Sequence, residues 1–142
     1  MRAGRIVLIA TVFCGCSSRS NPHFEDVDLE MATFECYEWK GTFSTAKWSD
    51  FSQQDQVQLQ EYLFRTPLEG SMSFVSYAPK VIIRTQNLIV NFTGGHVVCN
   101  YNSASGWKQT ARKMTEYDNK VLQCITNTIL SNAVSGNLEE VR

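Results

Sequence analysis

The sequence predicts an α+β fold, with an antiparallel sheet of four or five strands and two helices packed on one face. Three observations predict it. Residues 80–101 hold three short β-type runs joined by two turn dipeptides, Gln86-Asn87 and Gly94-Gly95. Two segments, 52–64 and 115–132, open on a capping residue and then repeat apolar residues at helical spacing. Both helical stripes need an apolar surface to cover, and the three β-type runs supply one.

Residues 29–39 alternate, with Ala32, Phe34 and Cys36 on one side and Thr33, Glu35 and Tyr37 on the other. That is strand periodicity. Gly41 ends the run, and 42–51 reads as loop or short strand. Ser52 then caps the first helix, with Asp55 in its first turn favouring the positive end of the dipole. Leu59, Tyr62 and Leu63 share one face, Val57 and Phe64 fall opposite, and Pro67 stops the helix. Residues 71–77 read as a strand, separated by Pro79 from the meander 80–101.

Register follows from the turns. Two-residue loops at Gln86-Asn87 and Gly94-Gly95 pair Ile83 with Val90, Val81 with Phe92, Phe92 with Val97 and Val90 with Cys99. Val81, Ile83, Leu88, Val90, Phe92, Val97, Cys99 and Tyr101 then share one face. A three-residue loop at Thr93 would put His96, Val98 and Asn100 there instead, because a one-residue slip exchanges the faces. The opposite face carries Lys80, Ile82, Arg84, Ile89, Asn91, Thr93, His96, Val98 and Asn100. Its three β-branched apolar residues suggest a docking surface for a partner, Ile82, Ile89 and Val98, rimmed by Arg84 and His96. β-Propensity, or cover by the N-terminal segment, is the alternative explanation.

The second helix starts at Thr115-Glu116-Tyr117-Asp118, with Val121, Leu122, Ile125 and Ile129 as its stripe. Its start matches the first as Ser/Thr-x-x-Asp-x-x-x-Leu-Gln. Shared capping chemistry accounts for the match without a duplicated αβ unit. The polar tail 135–142 is expected to fray.

Length and charge narrow the function classes. The chain has 142 residues, 13 Lys+Arg against 14 Asp+Glu, 43% hydrophobic and 19% charged residues. That fits one globular domain, 29–134, and gives no electrostatic footprint for nucleic acid. No run is long and apolar enough to span a bilayer. Arg2 and Arg5 precede an uncharged apolar run over 6–13, the pattern of a secretory leader. Cys14-Gly15-Cys16-Ser17-Ser18 follows.

This junction resembles the lipobox of bacterial lipoproteins, with small Gly15 directly before Cys16 and Phe13 where Leu is usual. The resemblance covers residues 1–18. It implies a signal peptide 1–15, a diacylglycerol on Cys16 and a short tether 16–28. Ser17 after the Cys implies sorting to the outer membrane, with the domain on the periplasmic side. Two or three acyl chains hold a protein stably on a bilayer. With Cys14 removed and Cys16 lipidated, Cys36, Cys99 and Cys124 remain, allowing one disulfide in the oxidising periplasm. Cys99 and Cys124 are the expected pair, because the second helix should cover Cys99. Cys36 with Cys124 is the rival.

No catalytic set assembles. Ser44-Thr45-Ala46-Lys47 has the Ser-x-x-Lys spacing of serine acyl-enzymes, but no Lys-Thr-Gly follows. His96 and Cys99, three apart on a strand, point to opposite faces. No CxxC or HExxH occurs, so neither metal nor other cofactor is expected. Trp39, Trp48 and Trp107 read as core edges or as ligand platforms. Ser103-Ala104-Ser105-Gly106 resembles a loop of periplasmic lysozyme-inhibitor lipoproteins. The expectation is a membrane-anchored, non-enzymatic module that binds a protein or envelope component. The alternatives are a small envelope hydrolase or transferase, and a lysozyme-inhibitor-like lipoprotein.

Overall fold

The computed structural model describes residues 28–37, 43–66 and 78–139, with side chains to residue 135. The leader, Cys16, the tether to residue 27, Trp39 and the expected strand 71–77 lie outside the described residues. The elements are β1 (Thr33–Tyr37), β2 (Phe43–Lys47), α1 (Gln53–Arg65), β3 (Val81–Arg84), β4 (Leu88–Phe92), β5 (His96–Ser103), β6 (Gly106–Lys113) and α2 (Glu116–Glu139). The sheet is antiparallel in the order β2-β1-β3-β4-β5-β6.

The α+β class holds, and among the described residues the sheet has six strands where four or five were expected. The extra strand is β6. Its sequence, Gly-Trp-Lys-Gln-Thr-Ala-Arg-Lys, has no apolar alternation, because at the sheet's edge neither of its faces is fully buried. The segment read as loop or short strand is β2, at the other edge.

Both meander turns are as the pattern requires. Val81 pairs with Phe92, Ile83 with Val90, Val90 with Cys99 and Phe92 with Val97. Gly95 sits at φ +87, a conformation that L side chains rarely adopt, while Gly94 does not. The inner face is dry: Val81, Ile83, Leu88, Val90, Phe92, Val97 and Cys99 are each at most 1% exposed. Ser103-Ala104-Ser105-Gly106 is the β5–β6 turn. Ser103 Oγ donates to Gly106 O at 2.7 Å and accepts from Ser105 N at 3.3 Å. The turn's own geometry therefore accounts for these residues.

Both helices contribute to the core on the inner face. α1 buries Leu59, Tyr62 and Leu63, and α2 buries Val121, Ile125 and Ile129. Ahead of α1, Trp48 and Phe51 pack against Phe34, with ring centroids 6.4 and 4.5 Å away. Trp48 is thus a core residue, whereas Trp107 is 56% exposed. Ser52 Oγ caps α1 by accepting from Asp55 N at 3.2 Å. α2 starts beside β6 and packs over β3, β1 and β2. It continues to Glu139, through part of the tail expected to fray.

The opposite face differs from expectation. Ile82 and Val98 are 4% and 5% exposed, Ile89 is half-buried, and Asn91 between the two is 5% exposed. Ile82, Asn91 and Val98 sit on central strands, in the row Glu35–Ile82–Asn91–Val98–Ala111, and Ile89 pairs with Arg84 and Asn100 beside it. Polar groups in and beside that row bond within the sheet. Asn91 Nδ2 donates to Val98 O at 3.1 Å, and Arg84 Nε to Glu35 Oε1 at 2.8 Å. An accessible docking patch built on Ile82 and Val98 is therefore corrected; of the five residues, His96 alone is exposed.

Candidate functional site

The most densely bonded polar cluster lies where α1 ends and α2 begins. Thr115 and Asp118 form the cap of α2: Asp118 N donates to Thr115 Oγ1 at 3.3 Å, and Thr115 N donates to Asp118 Oδ2 at 2.7 Å. The Asp118 side chain also turns inward, 1% exposed, onto β6 and α1. Arg112 of β6 grips it with two bonds, Nη1 to Oδ2 at 2.6 Å and Nη2 to Oδ1 at 2.7 Å. Tyr62 Oη donates to Oδ1 at 2.6 Å, and Thr115 Oγ1 to Oδ2 at 2.7 Å.

Burial alone would raise the Asp118 pKa. The hydrogen bonds from Arg112, Tyr62 and Thr115 outweigh it and hold the carboxyl well below the usual range. Burial, together with the adjacent carboxylate, pushes the Tyr62 phenol well above its ordinary value. Arg112 is held more firmly as a cation by Asp118. Its Nε is buried without a hydrogen-bond partner among the described residues. The three groups form a fixed ion pair with a neutral phenol.

This cluster is the floor of a cleft of about 390 Å³, lined by Tyr62, Arg65, Thr66, Arg112, Thr115, Tyr117 and Asp118. Tyr62 Oη faces Asp118, and its ring meets Tyr117 edge to face, centroids 5.5 Å apart. Thr66 closes α1, donating its Oγ1 to Tyr62 O at 2.7 Å. Arg65 stands at the rim in an exposed pair with Glu61 at 2.8 Å.

Sequence reasoning named none of these residues as a site. Thr115 and Asp118 were legible as a cap, and Tyr62 as part of a core stripe. Nothing in the sequence links Arg112 to Asp118, because the link depends on β6 ending beside the start of α2.

The other expected groups are dispersed. Ser44 lies on β2 opposite Cys36, and Lys47 opposite Thr33, so the two side chains are on different faces of the sheet and form no Ser–Lys dyad. His96 is exposed at its strand end and Cys99 is buried on the inner face. Cys99 and Cys124 are both free thiols, so the expected Cys99–Cys124 disulfide is corrected. Cys99 interacts electrostatically with Arg112 and, more weakly, with Asp118 in the first turn of α2. Cys124 lies six residues further along, roughly 9 Å at the helical rise, and bridged Cα atoms stand only about 5.5–6 Å apart. It meets Asp55 of α1 instead, and burial with that carboxylate pushes its thiol up to about 12. Cys99 is pushed up to about 12 chiefly by burial.

Among the described residues, no helix is long and apolar enough to cross a membrane, and no group of His, Cys, Asp and Glu is placed to hold a metal ion. Comparison with protein-family models, curated proteins and solved structures gives no match to this chain.

Proposed function

We propose that the protein is a lipoprotein held on the periplasmic side of the outer membrane through Cys16, and that its domain binds a ligand without transforming it. The anchor rests on Arg2 and Arg5, the apolar run 6–13 and the Gly15-Cys16 junction. The binding reading rests on Asp118. Five donor contacts occupy its two oxygens, against about four lone-pair positions on a carboxylate. A carboxylate so held is a poor base and a poor nucleophile, and the Tyr62 phenol is locked as its donor. The cluster is better suited to shaping the cleft than to moving protons.

Two measurements test this. Cys16→Ser should move the protein from the membrane fraction to the soluble fraction, and unchanged fractionation would remove the anchor. Chromogenic ester and phosphate substrates should give no turnover above background. Turnover that a folded Asp118→Asn variant loses would instead establish the hydrolase.

A further inference from the structure

We propose that the cleft between the end of α1 and the start of α2 binds a small ligand carrying a carboxylate or phosphate on an apolar body. The inference deepens the binding reading above and rests on it. A cleft of about 390 Å³ falls within the range of small-molecule sites, roughly 300–1,000 Å³. The rings of Tyr62 and Tyr117 give it an aromatic wall.

Charge accounting sets the sign of the ligand. Asp118 is the only carboxylate among the lining residues, its oxygens are already filled, and Arg112 neutralises it. Arg65 is then the surplus charge. Its partner Glu61 is one turn back on α1, outside the lining, with both side chains well exposed. Exposed pairs of this kind contribute little, so the Arg65 guanidinium is free to exchange Glu61 for a ligand oxyanion that it can grip with two parallel bonds. The Tyr117 residue is 39% exposed, and its hydroxyl has no hydrogen-bond partner among the described residues. Glu61 and, more weakly, Arg65 both act electrostatically on Tyr117, which places the exposed ion pair and the phenol at one rim. A second donor therefore stands beside the cation. The start of α2 supplies Thr115, Tyr117 and Asp118 to the lining. A cationic ligand would find no free acceptor of comparable strength among the lining side chains.

The test uses the full-length chain, isotope-labelled, in detergent micelles. Phenylacetate and phenyl phosphate are titrated while the amide resonances of Thr66, Thr115 and Tyr117 are followed, with benzyl alcohol as the uncharged analogue. The anions should produce saturable shifts that weaken with added salt, and benzyl alcohol should not. Arg65→Gln should weaken the anions by roughly tenfold, as expected for one charge-assisted contact, whereas Lys108→Gln on β6 should leave them unchanged. Tighter phosphate binding identifies a phosphate monoester as the natural group, and tighter phenylacetate binding a carboxylate; either supports the site. Absence of saturable shifts with both anions, equal binding of benzyl alcohol, or an unaltered affinity in Arg65→Gln overturns it. Arg65 is exposed, so its loss leaves the fold intact. A negative result leaves the Cys16→Ser fractionation and the turnover assay standing as separate tests.

Discussion

Asp55 and Asp118 occupy the same position in the same motif, three residues after a hydroxyl cap. Asp55 is only half-buried, bonded by Ser52 Oγ at 2.6 Å. Asp118 is sealed beneath Arg112 and Tyr62. Removing one partner of a buried pair strands the other charge, so Asp118→Asn should cost about 3–5 kcal/mol in a denaturation experiment. The pH dependence has a definite sign. The folded Asp118 pKa lies below its unfolded value, about 3.9. Its stabilisation is therefore fully present above that unfolded value and declines as pH falls through it toward the folded one. Asp118→Asn should flatten the acid limb of stability against pH. At the same scale, the unbridged thiols of Cys99 and Cys124 mean that dithiothreitol should leave the denaturation midpoint unchanged. A fall in the midpoint on reduction would restore a disulfide.

At the level of elements, the hairpins show how far a local pattern reaches. Gly95 holds φ +87 and Gly94 does not, though both have open space where a Cβ would stand. Gly95→Ala should therefore cost about 1–2 kcal/mol, the strain of a left-handed L residue. Gly94→Ala should change stability by less than about 0.5 kcal/mol, and thermal unfolding separates the two. Val98 is buried on the sheet's second face. Val98→Thr places a hydroxyl there and should lose about 1–3 kcal/mol by urea titration. An accessible docking residue would tolerate that change.

Across the whole molecule, α2 sets the reach of the core. Its 24 residues span roughly 36 Å at the helical rise, while six strands put about 24 Å between the outer pair. The helix is longer than the sheet is wide, and residues 130–135 are all exposed beyond Ile129. Ile129→Ala should cost about 2–5 kcal/mol. Leu130→Ser, one residue on, should change stability by less than about 0.5 kcal/mol in the same denaturation assay.

What the sequence determined by itself is what short-range chemistry enforces. Alternation around Phe34, the Gly94-Gly95 turn and the caps at Ser52 and Thr115 fixed the class, the meander register and both helix starts. Each depends on neighbours a few residues apart. The tertiary structure alone decided the edges and the cleft. β6 has no period to read, because an edge strand has little apolar surface to repeat. Cys124 faces Asp55 rather than Cys99 because of how the two helices lie side by side. Which of two identical caps becomes a buried ion pair depends on Arg112, and the sheet's order, not the local sequence, brings that strand to the start of α2.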